Sequence, residues 1–345
     1  MSLRNWLQPW FYPQEIQLSE QFNFGHREIL VATNCLDHST LFRTTLQHGW
    51  IEGKGSEKSL RNRMFQKIPQ LVWSERIKNL LIHEGSNKVH VIGSPWSHLL
   101  NSCSIDPREI AKFNQSKVSN SAPKVLYIPS HSSHGLGFNY HLPSSELLSF
   151  TDATNITVCL FWLDYIDPEV RRFYSEFGFK LTCIGFRGSS GYEIPWAPIG
   201  GRLMFLPNLI NLIERNDIVV VDELCTAFWY GLSLGKKAFI SQGYELVNEW
   251  SHTGSKIRRY DRLKFMQNLE PRFAQIEIGE VMDPSEELLE IALSEIGWDS
   301  VDNLSKEFSR SKLATTVDFL SPGLITPISS FIQQKSQGEQ LTDLS

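Results

Sequence analysis

"ERNDIVVVDELCTAFWYGLSLGKKAFIS", residues Glu214–Ser241, decides how the chain is read. Its run Val219-Val220-Val221 is too continuously apolar for a strand with one face in water. Burial on both faces is the habit of parallel sheets. A helical stretch follows almost at once over Glu223–Gly235, and a second strand-like run, Lys237–Ser241, comes after it. Strand, helix and strand joined this closely read as a parallel βαβ unit. The helix therefore starts at the carboxyl edge of a sheet. There its free N–H groups and dipole favour an anion, and Thr226 offers a hydroxyl. Thr226 reads equally well as a plain cap, with Glu223 as an acid that compensates the dipole. No GxxxxGK[ST] occurs, so a P-loop is excluded.

The same alternation extends on both sides. Upstream in the same half, strand candidates are Lys124–Pro129, Ile156–Trp162, Phe179–Phe186 and Asp217–Asp222, with helix candidates Pro168–Gly178 and Leu206–Asn216. Pro168 at a helical start and Gly178 at its end fit the usual asymmetry of helix termini. A final acidic helix is expected over Pro284–Gly297 and a frayed polar tail from Gln334. Nearer the N-terminus, strands are expected at Glu28–Thr33, Thr45–Trp50, Gln70–Trp73 and Lys88–Gly93. Between the last two, Ser74–Gly85 reads as a helix with Ser74 as N-cap, Gly85 as stop and Ile77, Leu80 and Leu81 on one face. The polar stretch Asn114–Lys124 between the halves reads as a linker. The fold class expected is α/β, with two Rossmann-like domains, 1–118 and 119–345, whose parallel sheets face a cleft. In such folds ligands bind at the carboxyl edges of the strands.

Composition narrows the function classes. At 345 residues the chain exceeds the usual size of one core. A formal charge of -5 argues against nucleic acid as a partner, since phosphate neutralisation needs a basic face. The five cysteines are scattered, without CxxC spacing, which fits a reducing compartment and neither a disulfide framework nor a zinc site. The N-terminus lacks an apolar signal core, and no run approaches a membrane span. A cytoplasmic location is expected.

Several loops hold candidate chemistry. "YIPSHSSHG", Tyr127–Gly135, follows a strand and packs Ser130, His131, Ser132, Ser133 and His134 together. Hydroxyls, imidazoles and a glycine-ended turn can cradle a phosphate, or can simply cap a solvated loop. "QHGW", Gln47–Trp50, puts His48 at a strand end in the first domain, where an imidazole suits a general base. Asp37 and His38 form a second pair of candidates after the first expected strand, and Glu52 and Glu223 are carboxylates at strand ends. "IGSPW", Ile92–Trp96, reads as a turn with Trp96 as a wall, and "FRGSSGY", Phe186–Tyr192, carries Arg187 on a Gly/Ser loop able to close over a nucleotide. Neither HExxH, GxSxG nor an EF-hand occurs, leaving hydrolase triads and metal catalysis without support.

In order, "LQHGW", "VWSERIKNLLIHEGSNKVHVIGSPW", "KVLYIPSHSSHG" and "DIVVVDELCTAFWYGLSLGKK" resemble bacterial surface-polysaccharide glycosyltransferases of the GT-B fold. The capsule and teichoic-acid groups, including CDP-glycerol glycerophosphotransferases, show a similar order. The resemblance makes His48 an acceptor-side or catalytic residue, beside Asp37, the other candidate base that the first domain offers. Beside Ser133, His134, Arg187 and Glu223, which the reading of the loops puts at the donor nucleotide, it places Ser130, His131 and Ser132 near the donor phosphate and Thr226 at the helix N-terminus that holds it. It implies no metal and no cofactor, with the nucleotide sugar as substrate and a glycan or lipid-linked acceptor, the latter drawing the protein to the inner face of the membrane. Cys225-Thr226 stands where the glycerophosphotransferases carry serines, which argues against CDP-glycerol as donor. The leading expectation is therefore a metal-independent glycosyltransferase of polysaccharide biosynthesis using a CMP-, UDP- or GDP-linked sugar. A nucleotide-sugar epimerase or glycerophosphotransferase of the same fold, and a non-catalytic two-domain ligand-binding protein, are the alternatives.

Overall fold

The computed structural model describes residues 25–33, 35, 45–47, 49–51, 70–116, 121–130, 143–185, 204–242, 263–264, 266–268 and 270–301. The fold is α/β, with two Rossmann-like units built on parallel strands. In the first, β1 (Thr45–Leu46), β2 (Gln70–Val72) and β3 (Val89–Val91) form a parallel sheet in that order. In the second, β4 (Val125–Ile128), β5 (Ile156–Cys159), β6 (Lys180–Thr182), β7 (Ile218–Val221), β8 (Lys237–Ile240) and β9 (Val281–Met282) are arranged β6-β5-β4-β7-β8-β9. The first five are parallel, and β9 pairs antiparallel with β8. All four residues of β7 are buried, as their uninterrupted apolarity requires. The chain runs outward from β4 on one side and then restarts at β7 on the other. The chain order thus reverses between β4 and β7, the place where a parallel sheet of this kind opens a crevice at its strand ends.

Helices fill the connections where local chemistry starts and stops them. Ser94 accepts from the Ser97 N–H and Pro95 occupies the first turn of α3 (Pro95–Ser102), while α4 (Pro107–Ser116) runs into the stretch expected as linker. Asp167 accepts from the N–H groups of Glu169 and Val170 at the start of α7 (Pro168–Ser175). Between β2 and β3 lies α2 (Glu75–His83), and α5 (Ser144–Phe150) and α6 (Trp162–Ile166) precede α7. The crevice is flanked by α8 (Phe205–Glu214) and α9 (Thr226–Ser233). Ser285 caps α10 (Glu286–Ile296), and Gly297 ends it in the left-handed region at φ 68°.

The expected strand at Glu28–Thr33 is instead a helix, α1 (His26–Ala32). Ile29 and Leu30 are buried on it, and it packs on α3. A short apolar run satisfies either period, and here the facing helix decides. Asp37 and His38 accordingly follow a helix in sequence rather than a strand. Trp96 is likewise no wall: it lies within α3, fully buried, and stacks on Tyr230 at 4.0 Å between ring centroids.

One apolar core crosses between the two units, joining Trp73 and Trp96 to Phe228, Trp229 and Tyr230 of α9. α10 packs on α9 and then returns to the first unit. There the Ile296 carbonyl accepts from Ser94 N at 2.9 Å and Ser97 Oγ at 3.0 Å. A Cβ on Gly297 would fall 1.8 Å from the Trp73 carbonyl oxygen, so only glycine lets the chain pass this close. No described helix is long and apolar enough to cross a membrane.

Candidate functional site

The crevice between the ends of β4 and β7 is organised by a buried carboxylate. Asp222, the residue after β7, is 2% exposed. Its Oδ1 accepts from Tyr127 Oη at 2.6 Å and Ser241 Oγ at 3.2 Å, and its Oδ2 accepts from Ser130 N at 2.7 Å. Three neighbouring strand ends, those of β4, β7 and β8, are thus tied to one side chain. A buried charge requires such partners, and charge-assisted hydrogen bonds are the strong kind. Ser130 Oγ donates to Glu223 Oε1 at 3.3 Å, so both polar groups of Ser130 are directed at carboxylates.

Beside this clamp, α9 begins. Its N-cap is Cys225, in extended conformation and without a side-chain capping bond. Thr226 is the first helical residue rather than the cap, and its hydroxyl is turned outwards to the first unit. There Thr226 Oγ1 accepts from the backbone N–H of Trp50 at 2.8 Å. The first-turn N–H groups of a helix have no intrahelical acceptors, so the start of α9 offers donors to whatever lies above it.

What lies above it is a pocket of about 380 Å³. Pro129, Ser130, Asp222, Glu223, Cys225 and Thr226 line it from the two strand-end loops. Ile128, Cys159 and Ile184 contribute from the sheet side, and Phe205, Leu206 and Leu209 from α8. Ala227 and Tyr230 extend the α9 wall, while His26 and Gly49 reach in from the first unit. The pocket therefore has an apolar side towards β5, β6 and α8 and a hydroxyl-bearing side towards the first unit.

The loop carrying Gly49 is held from several directions. Gln47 Nε2 donates to the Gly49 carbonyl at 2.7 Å, and Gln47 Oε1 accepts from Trp73 N at 2.8 Å. Trp50 Nε1 donates to Glu295 Oε2 at 2.5 Å. Glu295, on α10, also accepts from Arg76 Nε at 2.9 Å and Arg272 Nη2 at 2.5 Å, while Arg76 Nη2 bonds the Ile51 carbonyl. The Arg76 guanidinium lies over the Trp50 ring at 5.3 Å, a further favourable contact for a cation.

Of the residues singled out from sequence, Ser130, Glu223 and Thr226 meet at this pocket. Asp37, His48, His131, Ser132, Ser133, His134 and Arg187 lie outside the described residues. His26 was missed. It is buried at the start of α1, edge-on to Trp73 at 6.2 Å, and it lines the pocket. Gly25, in the left-handed region at φ 70° directly before it, marks the helix start that reading Glu28–Thr33 as a strand concealed.

No protein-family model matches the chain, and no curated protein does. Solved structures similar to it include a glycosyltransferase from Rickettsia africae ESF-5, 15% identical, with 82% of this chain and 74% of that one covered at a TM-score of 0.34. A UDP-GlcNAc 2-epimerase from Neisseria meningitidis bound to UDP-GlcNAc is 14% identical, with 81% and 79% covered at 0.34. TarM is 10% identical, with 82% of this chain but 50% of that one covered, at 0.30. Likeness at these scores carries no weight for function.

Proposed function

We propose that the chain is a glycosyltransferase of the GT-B type, and that the pocket at the β4/β7 divergence receives its nucleotide-activated sugar donor. The observation that carries this reading is the opening of α9 onto a pocket whose opposite side belongs to the first unit. Pyrophosphate favours a helix start at such a divergence. Glu223 suits hydrogen-bond donors, such as the hydroxyls of a ribose, better than it suits phosphate. The apolar flank of Ile184, Phe205 and Leu209 suits a base.

In transfer, a base on the first unit takes the proton of the acceptor hydroxyl. The acceptor oxygen bonds the anomeric carbon, and the bond from that carbon to the donor phosphate breaks. His48 and Asp37 are the sequence candidates for the base, and His26 joins them from its place at the pocket. Donors at the start of α9, with hydroxyls and imidazoles of the loop after β4, stabilise the departing phosphate without need of a metal. A glycan acceptor fits the resemblance to polysaccharide enzymes.

The test is a thermal-shift screen with CMP, CDP, UDP and GDP, followed by incubation of matching nucleotide sugars with and without glycan acceptors. A shift with one base, and product only when acceptor is present, is the expected result. An isomerised nucleotide sugar in the absence of acceptor would mark an epimerase instead. Failure of every nucleotide to shift the melting temperature would overturn the reading and favour a non-catalytic binding protein.

A further inference from the structure

Ser130 has two hydrogen-bond donors, its backbone N–H and its hydroxyl, and both are directed at carboxylates. The N–H donates to Asp222 Oδ2 at 2.7 Å, and Oγ donates to Glu223 Oε1 at 3.3 Å. Asp222 is itself anchored, since Tyr127 Oη and Ser241 Oγ donate to its other oxygen at 2.6 and 3.2 Å. A buried group thus fixes the Ser130 backbone, and the Ser130 hydroxyl in turn meets Glu223. Ser130 and Glu223 are both half-buried, and both line the pocket.

A serine whose donors are both engaged offers a phosphate oxygen nothing, and the two carboxylates beside it repel one. The order of the strands points to another part of the ligand. Cys159 on β5 and Ile184 after β6 belong to the apolar flank, α9 starts after β7, and β4 lies between β5 and β7. In a nucleotide the ribose lies between base and phosphate. Ser130, after β4, and its partner Glu223 therefore fall where a ribose joins a base on the apolar flank to a phosphate at the start of α9. We propose that Ser130 is a positioning residue and not a phosphate ligand: its hydroxyl holds the Glu223 carboxylate in the orientation that accepts from ribose hydroxyls. This rests on the reading of the pocket as a donor site. A glutamate that a ligand must first fix loses rotamer freedom on binding, and one fixed beforehand loses less. The bond from Ser130 supplies that restraint from a residue which Asp222 already holds still.

The test measures, by calorimetric titration, the affinities of CMP, CDP, UDP and GDP and of their 2′,3′-dideoxy forms. Wild type, Ser130→Ala, Glu223→Ala and the double variant are compared. Ser130→Ala keeps the backbone N–H that donates to Asp222, so the strand-end clamp survives in it. For the nucleotide that binds best, wild type should favour the ribose form about tenfold. Ser130→Ala should lower that preference to about twofold by weakening the ribose form, with the dideoxy form held within about twofold of its wild-type affinity. The double variant should match Glu223→Ala, because a restraint on an absent carboxylate does nothing. Equal weakening of both forms by Ser130→Ala would mark a phosphate ligand or a merely structural residue and overturn the assignment, as would an unchanged preference. A wild type without ribose preference would overturn the role of Glu223 while leaving the donor site standing. Failure of the wild type to bind any of the nucleotides would overturn the donor site and this inference together.

Discussion

The backbone N–H of Trp50 donates to Thr226 Oγ1 at 2.8 Å, joining residues 176 positions apart in the chain. The bond fixes the loop after β1 on the first residue of α9, so the two units meet at the pocket rather than merely near it. Gly49 confirms how close the approach is, since a Cβ there would lie 3.3 Å from the same oxygen.

Replacing Thr226 by Val tests this joint. Valine keeps the shape but leaves the Trp50 N–H without its acceptor, and a loss of about 1–2 kcal/mol is expected in urea unfolding. Thr226→Ser, which restores the oxygen, should recover most of it. Recovery absent in the serine variant would show that packing of the methyl, not the hydrogen bond, holds the joint.

His98 should set an acid limit on stability. It is buried in α3, its neutral ring donates through Nε2 to the Ile92 carbonyl at 2.7 Å, and burial lowers its pKa to about 4. Between that value and the ordinary 6.5 the unfolded chain binds a proton that the native one refuses. Stability from this group is thus complete above about pH 6.5 and falls as the pH drops towards 4, by up to about 3 kcal/mol. Denaturant titrations at pH 7.5 and 5 should show the fall in wild type and a smaller one in His98→Gln. Equal slopes in both proteins would assign the acid sensitivity to other groups.

The second unit was legible because its signals are local. Ile218–Val221 is apolar enough to demand burial on both faces, and Pro168 and Gly178 punctuate their helix within a few residues. The opening of α9 at the pocket follows from the strand's ending at Val221. Two features were not legible, for different reasons. Residues 28–33 offer six positions of mixed apolar character, too few to separate a period of two from one of 3.6, and packing against α3 settles the matter. Glu295 sits in "SEELLEIALSEIG", an acidic helix in which nothing local sets it apart from the other glutamates. It is 1% exposed because its partners arrive from 23, 219 and 245 positions away. No local pattern encodes such a meeting.

Glu295 offers the sharpest measurement of how the two units are held together. Its side chain is wholly buried and that of Arg76 is 8% exposed, while Arg272 and the Trp50 indole complete the cluster. Removing one partner of a buried ion pair leaves the other charge uncompensated, so Glu295→Ala should cost about 3–5 kcal/mol. Glu295→Gln should also destabilise, because its amide turns two donor hydrogens towards groups that are all donors. A double-mutant cycle with Trp50→Phe then isolates the link to the pocket. Phenylalanine retains a ring for the Arg76 guanidinium but removes the indole N–H. If Glu295 holds the Gly49–Ile51 loop through that N–H, the two losses should be non-additive by more than about 0.5 kcal/mol. Additive losses would mean that the loop is seated by the Thr226 bond, the Gln47 bond to the Gly49 carbonyl and the Arg76 contact to the Ile51 carbonyl, and that α10 supports the first unit without reaching the pocket.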